Sequence, residues 1–452
     1  MSDEIKKWKA ENPDHSAKTI KRKFRKGLID KLPWSSPHTS KTPGFLKDYQ
    51  LPDPVCLYKW NWSTIRLYEG TTNSCHRVKS DFITPENFEN FHNTPTKLKH
   101  RQNMLDGKWP GDGCEYCKDI EDAGGTSDRL DINSGDDYKV PKEFKKNKKV
   151  LRVTPKLVEV YFNNLCNLAC VYCNGNYSTV WEAEEKKFNL VHPKLLEDRK
   201  KARDQYPAIL EKHFQWLEKN GKHIAEYRVL GGEPFFQPEF EQNIDFFANN
   251  PCPDTDFKIF SNLKVSDSKM RKLLDKIVDL IDKKHIRSFE VVCSLDCWGP
   301  QQEYIRTGLS MKSWEKNFLT LLNDYPQIGL LVHGTIIALT LDTMHELYAK
   351  VTEWNKVRKV KHSISFASGT PGMSANIFPK EFFKDQFQKC RDATTDPRIL
   401  NMLNGFEKTV DNSDESPELI KKLINTLNDI DKRRGTNWKI LWPWLKEIED
   451  GM

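Results

Sequence analysis

Between residue 151 and about residue 370, apolar runs of four to nine residues alternate six times with longer amphipathic stretches. No other feature of the 452-residue chain limits its fold as tightly. The runs read as strands at Leu157–Phe162, Glu226–Leu230, Phe257–Phe260, Ser288–Leu295, Gly329–Ile337 and His362–Ala367. Between them, Pro207–Lys219, Glu239–Ala248, Lys269–Asp282, Lys312–Leu322 and Met344–Trp354 carry helical periodicity. Strand–helix repetition of this kind implies a parallel sheet with helices outside it, curled into a full or partial (β/α)6 TIM-like barrel. Its functional groups are then expected at the C-terminal strand ends.

Directly after the first of these strands stands Cys166-Asn-Leu-Ala-Cys170-Val-Tyr-Cys173, a C-x3-C-x2-C spacing. It reads as the ligand loop of an iron–sulfur cluster. Three thiolates hold three irons of a [4Fe–4S] cube and leave the fourth iron open, which suits catalysis better than electron carriage. A structural zinc knuckle or three buried thiols are the alternatives at this spacing.

Further polar groups follow the later strands. Gly231-Gly232-Glu233-Pro234 combines two glycines that permit close backbone approach with a carboxylate that can accept from an ammonium group. Alone it would be a strand-to-helix turn with a capping acid. Ser261-Asn262 ends the third strand and faces the same mouth or caps the next helix. Ser294 and Asp296 are two apart and share a face, suited to ribose hydroxyls, and Arg306 is a two-pronged partner for a carboxylate. Partners for an ammonium, a ribose and a carboxylate together suit S-adenosylmethionine.

Ahead of the barrel, residues 51–135 carry Cys56, Cys75 and the pair Cys114-Glu-Tyr-Cys117. Strand-like runs at Leu57–Trp62 and Thr64–Tyr68, a turn at Gly70 and a helix at Thr96–Leu105 are expected there, with Gly107, Gly111 and Gly113 looping the chain back to the pair. Four cysteines in a small β-rich module imply a second metal site. Its metal is open between zinc and iron–sulfur, with His76 a neighbour or a substitute ligand.

Residues 1–50 hold 12 Lys/Arg against 6 Asp/Glu, which accounts for most of the net +7. They read as a partly ordered basic extension with an amphipathic stretch near Thr19–Leu32, and nucleic acid is a possible but not favoured partner. Residues 136–150 read as a linker and 371–452 as a helical, charged C-terminal region without evident chemistry. No apolar run is long enough for a membrane span, no signal peptide is evident, and 11 cysteines in short-spaced groups fit metal ligation in a reducing, cytoplasmic setting. Cys252, Cys293 and Cys390 read as buried hydrophobes, whereas Cys297, beside Asp296, is a thiol that the strand end can bring to the mouth.

On these motifs, residues 151–370 resemble the radical SAM superfamily. The resemblance implies that Cys166, Cys170 and Cys173 hold a SAM-binding [4Fe–4S] cluster and that Tyr172 sits near the adenine. It makes Gly231, Gly232, Glu233 and Pro234 the methionine-ammonium turn, and Ser261, Asn262, Ser294, Asp296 and Arg306 the looser ribose and carboxylate contacts. It implies reductive cleavage of SAM to a 5′-deoxyadenosyl radical that abstracts a substrate hydrogen, with a flavodoxin or ferredoxin as one-electron reductant.

The earlier module resembles the SPASM/twitch modules, with Cys56, Cys75, Cys114 and Cys117 around an auxiliary iron–sulfur cluster. In better-known members that module follows the barrel. A peptide or protein substrate is the class this resemblance implies. A nucleotide or other small molecule, a cluster-bearing electron carrier and a zinc-stapled nucleic-acid binder are the rival readings.

Overall fold

The computed structural model describes residues 51–122, 127–134, 150–366, 371–411 and 415–452. The expected basic extension over 1–50, its Thr19–Leu32 stretch, the linker over 136–149 and the final residue of the sixth strand, Ala367, lie outside the described residues.

The strands in chain order are β1 (Trp62–Arg66), β2 (Thr71–Asn73), β3 (Asp81–Phe82), β4 (Leu157–Tyr161), β5 (Ala169–Cys170), β6 (Glu226–Leu230), β7 (Cys252–Ser261), β8 (Ile286–Ser294), β9 (Arg306–Thr307), β10 (Gly329–Ile336) and β11 (Lys361–Phe366). Nine form one sheet in the order β11-β10-β8-β7-β6-β4-β1-β2-β3, while β5 and β9 pair separately. The six expected barrel strands, β4, β6, β7, β8, β10 and β11, lie side by side in chain order and every neighbouring pair is parallel. Helices Tyr206–Asn220, Pro238–Asn249, Asp267–Asp282, Met311–Asp324 and Met344–Trp354 make the return crossings. The barrel is partial: β11 and β3 are the sheet edges and no described strand closes it.

The two faces of the sheet differ in chemistry. Tyr227, Val229, Phe257, Ile259, Phe289 and Val291 alternate along β6, β7 and β8 and are fully buried with Trp216, Phe240 and Ile277 of the helices. Each such side chain contributes roughly 1.5–3 kcal/mol. On the opposite parity, Glu159, Arg228, Lys258 and Glu290 stand in register as one row across four strands. They are joined by ion pairs of Arg228 with Glu226 and Glu159 (3.7 Å) and of Lys258 with Glu226 (3.1 Å) and Glu290 (3.5 Å). Parallel sheets usually bury both faces in apolar layers. A charged row marks this face as the one that meets water or a polar ligand.

The N-terminal strands belong to the same sheet. β1 runs parallel to β4 over five residue pairs, from Trp62 opposite Leu157 to Arg66 opposite Tyr161, and β2 and β3 continue antiparallel from it. The strand expected at Leu57–Trp62 is instead a helical turn, Tyr58–Asn61. Its alternating aromatics mimic a strand, but Trp60 Nε1 donates to Val150 O at 2.9 Å and Arg101 Nε to Lys59 O at 2.7 Å, and tertiary contacts override the local pattern. The run expected at Thr64–Tyr68 turns into a 3-10 helix after Arg66, ended by Gly70 in a left-handed conformation (φ 62°). The C-terminal region is helical, as expected, and docks on the barrel through Trp442 Nε1 to Leu339 O (2.9 Å) and Tyr304 Oη to Asp431 (2.9 Å). Among the described residues, no helix is long and apolar enough to cross a membrane.

Candidate functional site

The loop between β4 and the helix Thr179–Lys187 carries Cys166, Cys170 and Cys173, and its backbone is gripped from outside. Five consecutive carbonyls accept side-chain hydrogen bonds: Cys166 from Thr179 Oγ1 (2.9 Å), Asn167 from Lys264 Nζ (3.1 Å), Leu168 from Ser178 Oγ (2.6 Å), Ala169 from Arg434 Nη1 (2.9 Å) and Cys170 from Trp181 Nε1 (2.7 Å). Pairing of β5 with β9 sets Cys170 opposite Arg306. The loop is thus rigid while its three sulfurs remain free thiols. Burial pushes the Cys166 thiol up to about 12 and raises Cys170 and Cys173, with the charge of Cys170 adding to the rise at both Cys166 and Cys173. Three thiols on one short loop are the donor set that an iron–sulfur cluster takes. The residues therefore fit an iron–sulfur cluster.

The glycines after β6 serve this loop. Gly231 (φ 80°) and Gly232 (φ 53°) take left-handed conformations, and a Cβ on Gly232 would stand 2.3 Å from Leu165 O. Gly232 lies against the cysteine loop and Gly231 against Tyr161 of β4, and Glu233 N donates to Leu165 O at 2.8 Å. The Glu233 carboxylate is fully buried and accepts from Ser261 Oγ (2.8 Å), Asn262 N (2.6 Å) and Phe235 N (3.1 Å). It caps the turn Pro234–Phe236 and also fastens the end of β7. Burial raises its pKa to about 7, against the pull of those three hydrogen bonds. Asn262 faces the loop, with its Nδ2 3.8 Å from Cys166 Sγ, whereas Ser261 is turned to Glu233. The following helix is capped by Ser266 instead.

At the end of β8, Asp296 gathers four elements. It accepts from Arg306 Nε (2.8 Å) and Nη2 (3.0 Å), Tyr172 Oη (2.8 Å) and Thr335 N (2.8 Å). Arg306 also lies over the Tyr172 ring at 5.7 Å. The carboxylate partner expected for Arg306 is therefore already present within the chain. Ser294 is half-buried beside His333, its partner in register on β10. Cys297 is fully buried near Gln302, in the core and not at the mouth, as are Cys293 and Cys390.

Two site residues escaped the sequence reading. Arg434, from the C-terminal region read as without chemistry, donates to both Ala169 O and Thr307 Oγ1 (each 2.9 Å). It therefore grips both strands of the β5–β9 pair. His333 lies between Ser363 Oγ (2.8 Å) and Ser365 Oγ (3.2 Å), and burial lowers its imidazole to about 4. Nothing local in the sequence marks Arg434, whereas the alternation of His333 with buried Val332 and Gly334 on a strand does place it on the polar face.

Cys56, Cys75, Cys114 and Cys117 line one cavity in the N-terminal part, together with Lys59, Arg77, Asp128 and Arg129. Gly113 (φ 100°) makes this possible, since a Cβ there would stand 2.0 Å from Arg77 O. The backbone N–H of Arg77 donates to Cys75 Sγ at 3.5 Å, an arrangement that suits a thiolate. All four thiols are raised, first by burial. His76 turns away to Glu159 (2.9 Å) on β4. Among the described residues no three His, Cys, Asp or Glu side chains converge on a single-ion position.

No family model and no curated protein matches the chain. Twelve chains of solved structures match, among them two at low identity. One is a structure of TYW1 with a lysine-pyruvate adduct bound, at 16% identity over 57% of this chain and 74% of that one, with a TM-score of 0.28. The other is the crystal structure of Streptococcus suis SuiB bound to precursor peptide SuiA, at 11% identity over 82% of this chain and 69% of that one, with a TM-score of 0.34. At these TM-scores neither likeness bears on the chemistry of this chain.

Proposed function

We propose that the chain is a radical SAM enzyme whose SAM-binding cluster is held by Cys166, Cys170 and Cys173. The observation that carries this reading is the cysteine loop itself: five consecutive carbonyls held from outside, with three free sulfurs at the C-terminal end of a parallel strand. A bound [4Fe–4S] cluster with S-adenosylmethionine supplies one-electron cleavage of the sulfonium and hydrogen abstraction by the resulting 5′-deoxyadenosyl radical.

The chain's own residues bind, orient and shield. Glu233, Ser261 and Asn262 border Cys166 and orient the methionine end. Tyr172 and Asp296 flank the nucleoside end. Arg306 spends two of its five N–H donors on Asp296 and keeps Nη1 for a carboxylate. The half-exposed polar face of the sheet, with His333, Ser363 and the charged row, gives the substrate a polar wall. The cavity of Cys56, Cys75, Cys114 and Cys117 holds an auxiliary iron–sulfur cluster, and the substrate is a peptide or protein. A flavodoxin or ferredoxin supplies the electron.

The test is anaerobic reconstitution with iron and sulfide, then dithionite and SAM, with iron counted and 5′-deoxyadenosine assayed. About eight irons per chain and SAM cleavage that disappears in Cys170→Ala are expected for two cubes. Zinc in place of iron, with no 5′-deoxyadenosine, would sink the reading and leave a metal-stapled binding protein.

A further inference from the structure

Lys59 is 2% exposed and forms part of the wall of the four-cysteine cavity. Its ammonium group is 3.2 Å from His100 Nδ1, within hydrogen-bonding reach of Cys114 and within electrostatic reach of Cys56 and Cys75. The other two cations of the lining have their own carboxylates: Arg77 pairs with Asp128 at 3.1 Å, and Arg129 with Glu121. Among the described residues no carboxylate pairs with Lys59. His100 does not supply the missing negative charge, because an imidazole is neutral or cationic.

A buried cation without an anion is costly, and four protonated thiols do nothing to offset it. Four thiolates around an iron–sulfur core do, with a net formal charge of about −2 when oxidised and −3 when reduced. The backbone already suits that state at Cys75, whose sulfur accepts from Arg77 N–H at 3.5 Å.

We propose that Lys59 is the counter-charge of an iron–sulfur cluster held by Cys56, Cys75, Cys114 and Cys117, and that it favours the reduced state of that cluster. This rests on the reading of the cavity as an iron–sulfur site. Reduction adds one electron to the iron core and takes up no proton. Each added negative charge lands beside Lys59 in a low-dielectric wall, where its pull is greatest. Zinc in the same cavity would give Lys59 a partner but no reduction to favour.

The experiment uses the full chain with Cys166, Cys170 and Cys173 replaced by Ala, so that iron can enter only the four-cysteine cavity. Metal content is read first, then the midpoint potential by dithionite titration followed by electron paramagnetic resonance. Lys59→Met, close in shape, is expected to take up iron but to be at least tenfold harder to reduce, about 59 mV for one electron. Lys59→Arg is expected to stay near the unaltered chain. An unchanged potential in Lys59→Met overturns the proposal while leaving the cluster in place. Absence of iron from the unaltered cavity overturns the cluster reading and the proposal with it.

A second measurement covers a variant that fails to load. In the metal-free chain Lys59→Met is expected to raise the urea midpoint, because it removes a buried charge that lacks an anion. A lower midpoint would mean that Lys59 is a packing and hydrogen-bonding residue only.

Discussion

Arg306 grips Asp296 with two hydrogen bonds, Nε to Oδ2 at 2.8 Å and Nη2 to Oδ1 at 3.0 Å, and both residues are buried. Through Tyr172 and Thr335 the same carboxylate ties the cysteine loop to β10. Asp296→Asn leaves a buried guanidinium without its charge partner. It is expected to cost about 3–5 kcal/mol in urea unfolding and to weaken iron retention by the loop. Undiminished stability would show that the pair offsets little.

Gly232→Ala sets a methyl group against Leu165 O in a left-handed backbone. A loss of about 3 kcal/mol is expected. Gly435→Ala is the control: it has the same handedness (φ 68°), but nothing lies within 4 Å, and about 1 kcal/mol is expected. Equal losses would mean that the approach to the cysteine loop is not tight.

Glu233 holds its proton to about pH 7 in the folded chain and to about 4.5 when unfolded. Between those values the folded state binds more protons, so its stability falls as pH rises, by about 3 kcal/mol across the window. In the metal-free chain, Glu233→Gln is expected to flatten this slope, measured as urea midpoints from pH 4 to 8. A parallel slope in the variant would assign the pH dependence elsewhere.

His76 stands next to Cys75 yet binds Glu159. His76→Ala is therefore expected to keep the metal content of the four-cysteine cavity, whereas Cys75→Ala lowers it. Equal loss of metal in both would make His76 a ligand.

Arg434→Met removes the grip on Ala169 O and Thr307 Oγ1 and is expected to cost roughly 1.5–3 kcal/mol. It should also speed iron loss to a chelator from the loop of Cys166, Cys170 and Cys173, with the four-cysteine cavity unaffected. Iron loss at the unaltered rate would place Arg434 outside the support of the loop.

The barrel strands were legible because each keeps one apolar parity against the helices, as in Tyr227 and Val229 or Phe257 and Ile259. The motifs after them were legible as residue types but not as partners. Arg306 read as a carboxylate binder without any sign that its carboxylate is Asp296, ten residues earlier. The two glycines read as room for a ligand, and the contact of Gly232 with Leu165 could not be read from the sequence. Pairing of β1 with β4 left no trace, because strands far apart in the chain share no local periodicity. The helical turn at Tyr58–Asn61 was lost for the opposite reason, its aromatic alternation being a local pattern that long-range contacts overrule.

β1 precedes its partner β4 by 95 residues, counted from Trp62 to Leu157. At roughly 5–20 residues per second, the ribosome presents β1, β2 and β3 for about 5–20 s before β4 can cover them. During that interval the first strand has an open edge, and the four cysteines are complete once Cys117 is made, 40 residues or about 2–8 s before Leu157. The four-cysteine cavity can therefore assemble on the nascent chain, ahead of the loop that carries Cys166, Cys170 and Cys173.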